Sequence, residues 1–308
     1  MDSSKKKNLD DLKRYVNKAL VSFLEKEKNE KINEVMLYSL SGGKRLRPII
    51  CYLVFHRFIN DISFNELDFM NIIIIPEIIH NLSLIIDDLP CMDNDDYRRD
   101  KLTTHKKYGV LSSYIVISKI INNLLNQFKD LIDFEKTIIY KSKNNKIEKK
   151  KYRDFFTHEI FESMESLIEG QYYDLSFLNL NIDIEILYKI NSKKTAPLFS
   201  LSFILGYIQI PIFKSDFIIE ESLVYSLKEV GELFGLIFQL NDDIVDRDSD
   251  SKDGKNLNLS LCLGYQKSID IFYQKCELFK KKLIEIGIWN DNFKEIIILL
   301  KKRISKDN

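Results

Sequence analysis

Carboxylates crowd two short stretches of this chain: D-D-L-P-C-M-D from Asp87 to Asp93, and D-D-I-V-D from Asp242 to Asp246. Both stand beside apolar sequence, where like charges at that density repel unless cations lie between them. The donors are all oxygen, with no histidine or cysteine set nearby, which points to a hard ion and to Mg²⁺ first. Mg²⁺ keeps part of its water and readily shares phosphate oxygens. Two such clusters facing each other would clamp a diphosphate from both sides.

Cations for that anion come from elsewhere. Arg98 and Arg99 follow the first cluster, and Lys44, Arg45 and Arg47 sit in S-G-G-K-R-L-R-P. An arginine fork matches phosphate oxygens in pairs, and lysine adds a point charge. Gly42 and Gly43 let the backbone approach an anion closely. G-G-K-R alone is a weak signal; its weight comes from the company of the carboxylates.

Helices must aim these groups. His80, Ser83 with Leu84, and Asp87 are spaced by three or four residues and share one face. Pro90 breaks that helix, so Asp93 returns from a turn. Gln239, Asp242 with Asp243, and Asp246 repeat the helical spacing. Apolar residues recur at helical intervals over residues 9–24, 32–40, 48–59, 67–88, 112–139, 158–177, 184–206, 220–246 and 265–286. Strand alternation is essentially missing, and 10 Gly and 5 Pro leave few tight turns. Residues 67–88 are apolar almost all round, as a helix inside a bundle is. The expected fold is all-α, a single large helical bundle around an elongated cavity. Residues 141–153, rich in Lys and Asn, read as a solvated loop or insertion.

Composition narrows the class. Lys+Arg and Asp+Glu are each 46, so charge makes no case for nucleic acid or an acidic membrane surface. The cysteines at 51, 91, 262 and 276 form no C-x-x-C pair and read as reduced thiols. The first residues lack the apolar core of a secretory signal. The oiliest run, residues 72–86, is interrupted and too short to span a bilayer. The expected setting is the cytoplasm or a plastid-type stroma.

Five blocks then occur in order: G-G-K-R-L-R-P, D-D-L-P-C-M-D-N-D-D-Y-R-R with T-T-H-K-K-Y-G, G-Q-Y-Y-D-L, K-K-T-A-P-L-F and F-Q-L-N-D-D-I-V-D. Together they resemble the trans-isoprenyl diphosphate synthases, most of all the geranylgeranyl diphosphate synthases of plastid and bacterial type. The resemblance runs from about residue 30 to 265 and implies one polyprenyl synthase domain across 1–308. It implies that Asp87, Asp88, Asp93, Asp242 and Asp246 hold several Mg²⁺ on an allylic diphosphate, with Asp243 a weaker member of the set. Arg98 would contact the allylic diphosphate and Arg99 the isopentenyl diphosphate. Lys44, Arg47 and His80 would complete the isopentenyl pocket, with Arg45 close by. Lys194, Thr195 and Gln239 would line the allylic site, and Lys255 would close over the leaving group. Gln171 and Asp174 match G-Q-x-x-D, where an aspartate facing the cation path and a buried helix contact are both open. His105 reads as a helix-start hydrogen-bonder, and His56 and His158 as structural or solvated. Family members are usually homodimers.

Product length should follow the side chains one to two turns below Asp87, at Leu82 and Ser83, about 6–7.5 Å deeper along a helix. Neither is an aromatic plug, so geranylgeranyl diphosphate is the expected product. Three departures from the family pattern stand beside this. Ile86 replaces a histidine, I-V-I-S-K-I-I-N replaces a small acidic stretch, and the loop after Asp246 is shortened, leaving Lys252 as a substitute for a missing lysine. The main reading is an active short-chain prenyltransferase. The alternative is a catalytically weak homologue serving as regulatory or structural subunit of an active synthase. A terpene cyclase would have no use for the G-G-K-R-L-R-P block.

Overall fold

The computed structural model describes residues 7–25, 27–59, 64–132, 137–176, 183–252 and 257–306. It opens with α1 (Leu9–Leu24), α2 (Glu30–Leu40) and α3 (Leu46–Phe58). The Asn8 side chain accepts the Asp11 N–H at 2.9 Å, and Asn29 accepts those of Lys31 and Ile32. Free N–H groups at a helix start need such an acceptor, and it sets the boundary. The apolar run expected as one helix over 67–88 is two, α4 (Glu66–Ile73) and α5 (Ile75–Asp87). Pro76, in the first turn of α5, has no N–H to carry the α4 ladder onward.

A short hairpin follows, β1 (Tyr97–Arg98) with β2 (Lys101–Leu102), then α6 (Thr104–Tyr108) and α7 (Val110–Ile132). The hairpin's two-residue turn, Arg99 and Asp100, has φ of 54° and 60°, the left-handed pair that suits the twist of a tight hairpin. Next come β3 (Thr137–Lys141), β4 (Ile147–Lys151) and α8 (Tyr152–Ser176). Strand β3 pairs antiparallel with β4 and parallel with β5 (Ile218–Glu220). The polar stretch 141–153, expected as a loop, is therefore mostly strand and helix start. Lys149 and Lys151 face outward, while Lys150 lies over the ring of Tyr140, which is buried with Ile138 on the partner strand. The helix expected over 112–139 ends earlier for the same reason.

The remaining elements are α9 (Ile184–Ile208), α10 (Ile210–Phe213), α11 (Glu221–Val245), α12 (Arg247–Lys252), α13 (Leu259–Leu263), α14 (Tyr265–Glu285) and α15 (Asp291–Lys306). No helix was expected where α15 lies. Its buried Phe293, Ile296, Ile297, Leu300 and Ile304 form one apolar stripe against the bundle. Helix α9 is the axis of the molecule: every residue from Leu198 to Ile208 is buried. Two segments are long and apolar enough to cross a membrane, Glu66–Asp87 and Ile184–Phe213. Their apolar windows are 72% and 83% buried inside the bundle, as core helices are.

Helix α11 lies very close to α9. A Cβ on Gly235 would stand 2.5 Å from Ala196 Cα, and one on Gly231 would stand 2.3 Å from Ser200 Cα. No side chain fits there. The contact draws the turn carrying Lys194 and Thr195 against the turn carrying Gln239 and Asp242.

Candidate active site

The C-terminal ends of α5 and α11, the middle of α9, the start of α3, α8 and the β1–β2 hairpin enclose a cavity of about 1230 Å³. Asp87 lines it from α5, and Asp242 and Asp246 line it from α11. One acid of the first cluster and two of the second therefore share one chamber; Asp88 and Asp93 stand beside it without lining it, and Asp93 and Asp246 are exposed.

Helix α5 ends at Asp87, and the chain doubles back so that the Asp93 N–H donates to the Asp87 carbonyl at 2.8 Å. Asp93 is thus presented by a turn, as Pro90 required. Its Oδ1 lies 3.4 Å from the Gln171 amide on α8. Burial pushes the Asp87 carboxyl up to about 7, with Asp93 and Asp88 adding to the rise against Lys194 and Arg98. Burial also raises Asp88 to about 6, although Arg98 opposes it. Arg98 Nε donates to Asp88 Oδ1 at 2.5 Å, and Nη2 to Asp95 Oδ2 at 3.0 Å. Keeping such buried, neighbouring carboxylates ionised carries a cost that a nearby cation would offset.

Lys194 pairs with Asp174. Burial alone would lower its pKa, but Asp174, Asp87 and Asp93 outweigh that and raise it. Of the two readings left open for Asp174, the helix contact is what the fold makes. Next door, the Thr195 hydroxyl donates to Gln239 Oε1 at 2.7 Å, and the Gln239 amide donates to Asp243 Oδ1 at 2.7 Å. Asp243 Oδ2 accepts the Leu259 N–H at 2.8 Å. Asp243 is buried behind the wall and does not line the cavity; it ties α11 to α13.

The cations come from the start of α3 and from the hairpin tip. Gly42 and Gly43 (φ 82° and 89°) bend the chain ahead of α3, and a Cβ on Gly43 would stand 2.8 Å from the Arg99 guanidinium. That missing side chain is what lets Arg99, at the hairpin tip, enter the cavity. Arg47 lies over the Phe199 ring at 4.4 Å, and its buried Nε has no hydrogen-bond partner. Burial pushes Arg47 down to about 10, with Arg99 adding to the effect. Burial also lowers Lys44, which faces Asp242 and Asp246 and lies 5.0 Å from the Phe238 ring centroid. His80, deep among these groups, is pushed well below 6.5 by burial and by Arg47, Arg99, Arg98 and Arg45.

Arg45 departs from its expected place among the phosphate-binding groups. It touches the cavity wall, but its guanidinium is spent on Glu77 at 2.8 Å, Asn17 at 2.9 Å and the Leu40 carbonyl. Lys252 is exposed and does not line the cavity, and Lys255 lies outside the described residues. Of the two positions below Asp87, Ser83 faces the cavity while Leu82 is buried in the core. His105 shares a hydrogen bond with Thr103 at 3.1 Å at the start of α6, away from the cavity.

Several lining residues escaped the sequence reading, and one of them touches the second acidic cluster. Arg303, on α15, pairs with Asp242. The stripe from Phe293 to Ile304 was the available signal, but no motif drew attention beyond residue 286.

Among the described residues, no three acidic, histidine or cysteine side chains converge tightly enough to chelate an ion by themselves. The donor set still suits Mg²⁺, which is bound by one or two carboxylates plus water and substrate phosphate.

Comparison with known proteins agrees with this geometry. The family profile described as polyprenyl synthetase matches residues 29–259. The chain is 32% identical over 258 residues to farnesyl diphosphate synthase of Bacillus subtilis, covering 81% of this chain and 78% of that protein. It is 34% identical over 282 residues to the chloroplastic large subunit 1 of heterodimeric geranylgeranyl pyrophosphate synthase of Arabidopsis thaliana, covering 87% and 68%. The fold superimposes on a geranyltranstransferase from Thermotoga maritima with a TM-score of 0.72 at 23% identity, over 96% of this chain and 97% of that one. A Zymomonas mobilis FPP/GFPP synthase gives 0.73 at 22% identity, over 94% and 95%. The alternative of a regulatory chain finds no support in these relatives. Sequence, fold and cavity together place the chain in the polyprenyl synthetase family, among the trans-isoprenyl diphosphate synthases, as a prenyltransferase.

Proposed function

We propose that the chain condenses isopentenyl diphosphate with a shorter allylic diphosphate and releases geranylgeranyl diphosphate. The observation that carries this reading is one cavity lined by Asp87, Asp242 and Asp246 together with Lys44, Arg47 and Arg99. The acids Asp87, Asp88, Asp93, Asp242 and Asp246 would hold Mg²⁺. When bound, Mg²⁺ supplies neutralisation of the allylic diphosphate so that it can leave.

The protein's own residues do the rest. Arg98 and Lys194 stand beside the first cluster to take the developing negative charge. The Thr195–Gln239 pair fixes the wall along which the allylic tail lies. Arg47, with its unpartnered Nε, Arg99 and Lys44 hold the second diphosphate, and neutral His80 completes that pocket. The isopentenyl double bond then attacks the allylic cation, and the departed diphosphate accepts the final proton. Leu167, Leu198, Phe199 and Phe238 line the cavity and keep out water that would trap the cation.

Length control rests on Ser83, about 6 Å below Asp87 along α5. A small residue there leaves room for a chain longer than farnesyl. Chromatography of the products made with each allylic primer and Mg²⁺ tests both parts. Geranylgeranyl diphosphate is expected; farnesyl diphosphate as the sole end product would refute the length argument, and no elongation at all would refute the reaction. The working unit is a homodimer joined through α7, whose Leu111, Tyr114, Ile115 and Leu125 form an exposed apolar stripe at helical spacing.

A further inference from the structure

Arg303 stands on α15, outside the span 29–259 that the family profile matches. Its Nη1 donates to Asp242 Oδ1 and, at 2.7 Å, to Asn241 Oδ1. Asn241 is fully buried, and its own amide donates to the Leu300 carbonyl at 2.8 Å. One residue of α11 therefore grips α15 at two points, and the guanidinium is held beside the second acidic cluster. The Arg303 side chain is 30% exposed and lines the same cavity as Asp242, Asp246 and Lys44.

A carboxylate oxygen that serves a guanidinium cannot at the same time give that lone pair to an ion. A guanidinium freed inside a walled cavity is itself costly without an anion. The anion at hand is a diphosphate, which the fork fits in paired hydrogen bonds. Lys44 is close enough to feel both Arg303 and Asp242, so an anion between the two cations would relieve both.

We propose that Arg303 guards the second acidic wall, pairing with Asp242 while no cation is bound and turning to the diphosphate once a cation has taken that carboxylate. Arg303 is thus a positioning residue for Asp242 first and a substrate contact afterwards. The inference rests on the reading that Asp242 binds a cation.

Binding measurements on the full chain test it without turnover. Mn²⁺ alone is titrated by the electron paramagnetic resonance of the free ion, and inorganic pyrophosphate with saturating Mn²⁺ is titrated by calorimetry. Arg303→Met should bind Mn²⁺ alone about fivefold more tightly, since a competing charge is gone. The same variant should bind pyrophosphate about tenfold more weakly. Arg303→Lys, which keeps the charge and loses the fork, should shift both in the same directions by less, and it carries the test if the Met variant does not fold. Unchanged Mn²⁺ affinity, unchanged pyrophosphate affinity, or a loss of both together would overturn the proposal, the last assigning Arg303 to helix packing alone. The control is Asp242→Asn. If it leaves Mn²⁺ binding at the wild-type level, the cation reading itself fails, and that failure is distinct from one seen only in the Arg303 variants.

Discussion

At Asp87, burial and charge work against each other. The carboxyl is nearly enclosed and is pushed up to about 7, so its ionised form carries a desolvation cost in the metal-free protein. Asp87→Asn removes that cost while keeping the shape. Turnover should fall about a hundredfold or more, as when other preorganised charge stabilisation is removed, with the melting temperature unchanged or slightly raised. Asp242→Asn should lose turnover to the same degree. Isopentenyl transfer assays beside thermal melts check both; wild-type turnover in either variant would remove that residue from the mechanism. His80 makes a prediction in pH. Its folded-state pKa is depressed well below the ordinary 6.5 by burial and the surrounding arginines. Below pH 6.5 the unfolded chain therefore takes up a proton that the folded chain refuses, and stability falls as pH drops. Urea unfolding of wild type and His80→Gln at pH 7.5 and 5.5 (two points chosen on the order of one unit either side of the ordinary value) should show a shallower fall in the variant. Equal slopes would place His80 in a solvated setting.

Between elements, the closest approach is that of α9 and α11, where Gly231 and Gly235 meet Ser200 and Ala196 backbone. This contact fixes the distance from Thr195 to Gln239, and through Gln239 the position of Asp243. Gly235→Leu should destabilise the protein by about 2 kcal/mol or more, because rigid backbone lies opposite and cannot yield. The urea midpoint reports it, and a midpoint within error of wild type would show that the helices slide apart freely. Arg45 belongs at this scale too. Its buried pairing with Glu77, together with the bond to the Leu40 carbonyl, holds the G-G-K-R bend against α5, so that Lys44 and Arg47 on either side face the cavity.

For the molecule as a whole, α7 carries its apolar surface outward. Leu111 is 73% exposed and Leu125 56%, on the same face as Tyr114 and Ile115. An exposed apolar helix face of that kind marks an interaction site, here the dimer contact proposed above. The pair Leu111→Glu and Leu125→Glu should convert the proposed homodimer into a monomer in sedimentation velocity runs, while far-ultraviolet circular dichroism stays as in wild type. A dimer that survives both changes would move the interface elsewhere.

Much of this was legible in the order of the residues. Helix α1 begins and ends where its apolar spacing does, since the Asn8 cap is a local signal. Asp87 closes α5 and Asp93 returns by a turn, because Pro90 dictates as much within the motif itself. The second cluster lies on a helix because helical apolar spacing runs unbroken up to it. The strands β3 and β4 were not legible, since lysine-rich β4 is a strand only through its pairing with β3, and β3 in turn pairs with β5, far along the chain. Nor could spacing separate Arg45 from Arg47, two residues apart in one motif: both reach the cavity wall, but one guanidinium is spent on Glu77 while the other keeps an unpartnered Nε. Arg303 joins Asp242 only because α15 packs back along α11. Local sequence decides which side chains are present and which turn of which helix carries them, because capping, proline and apolar spacing act over a few residues. Which of those groups face one another across a cavity depends on the close packing of distant helices, and only the tertiary structure decides that.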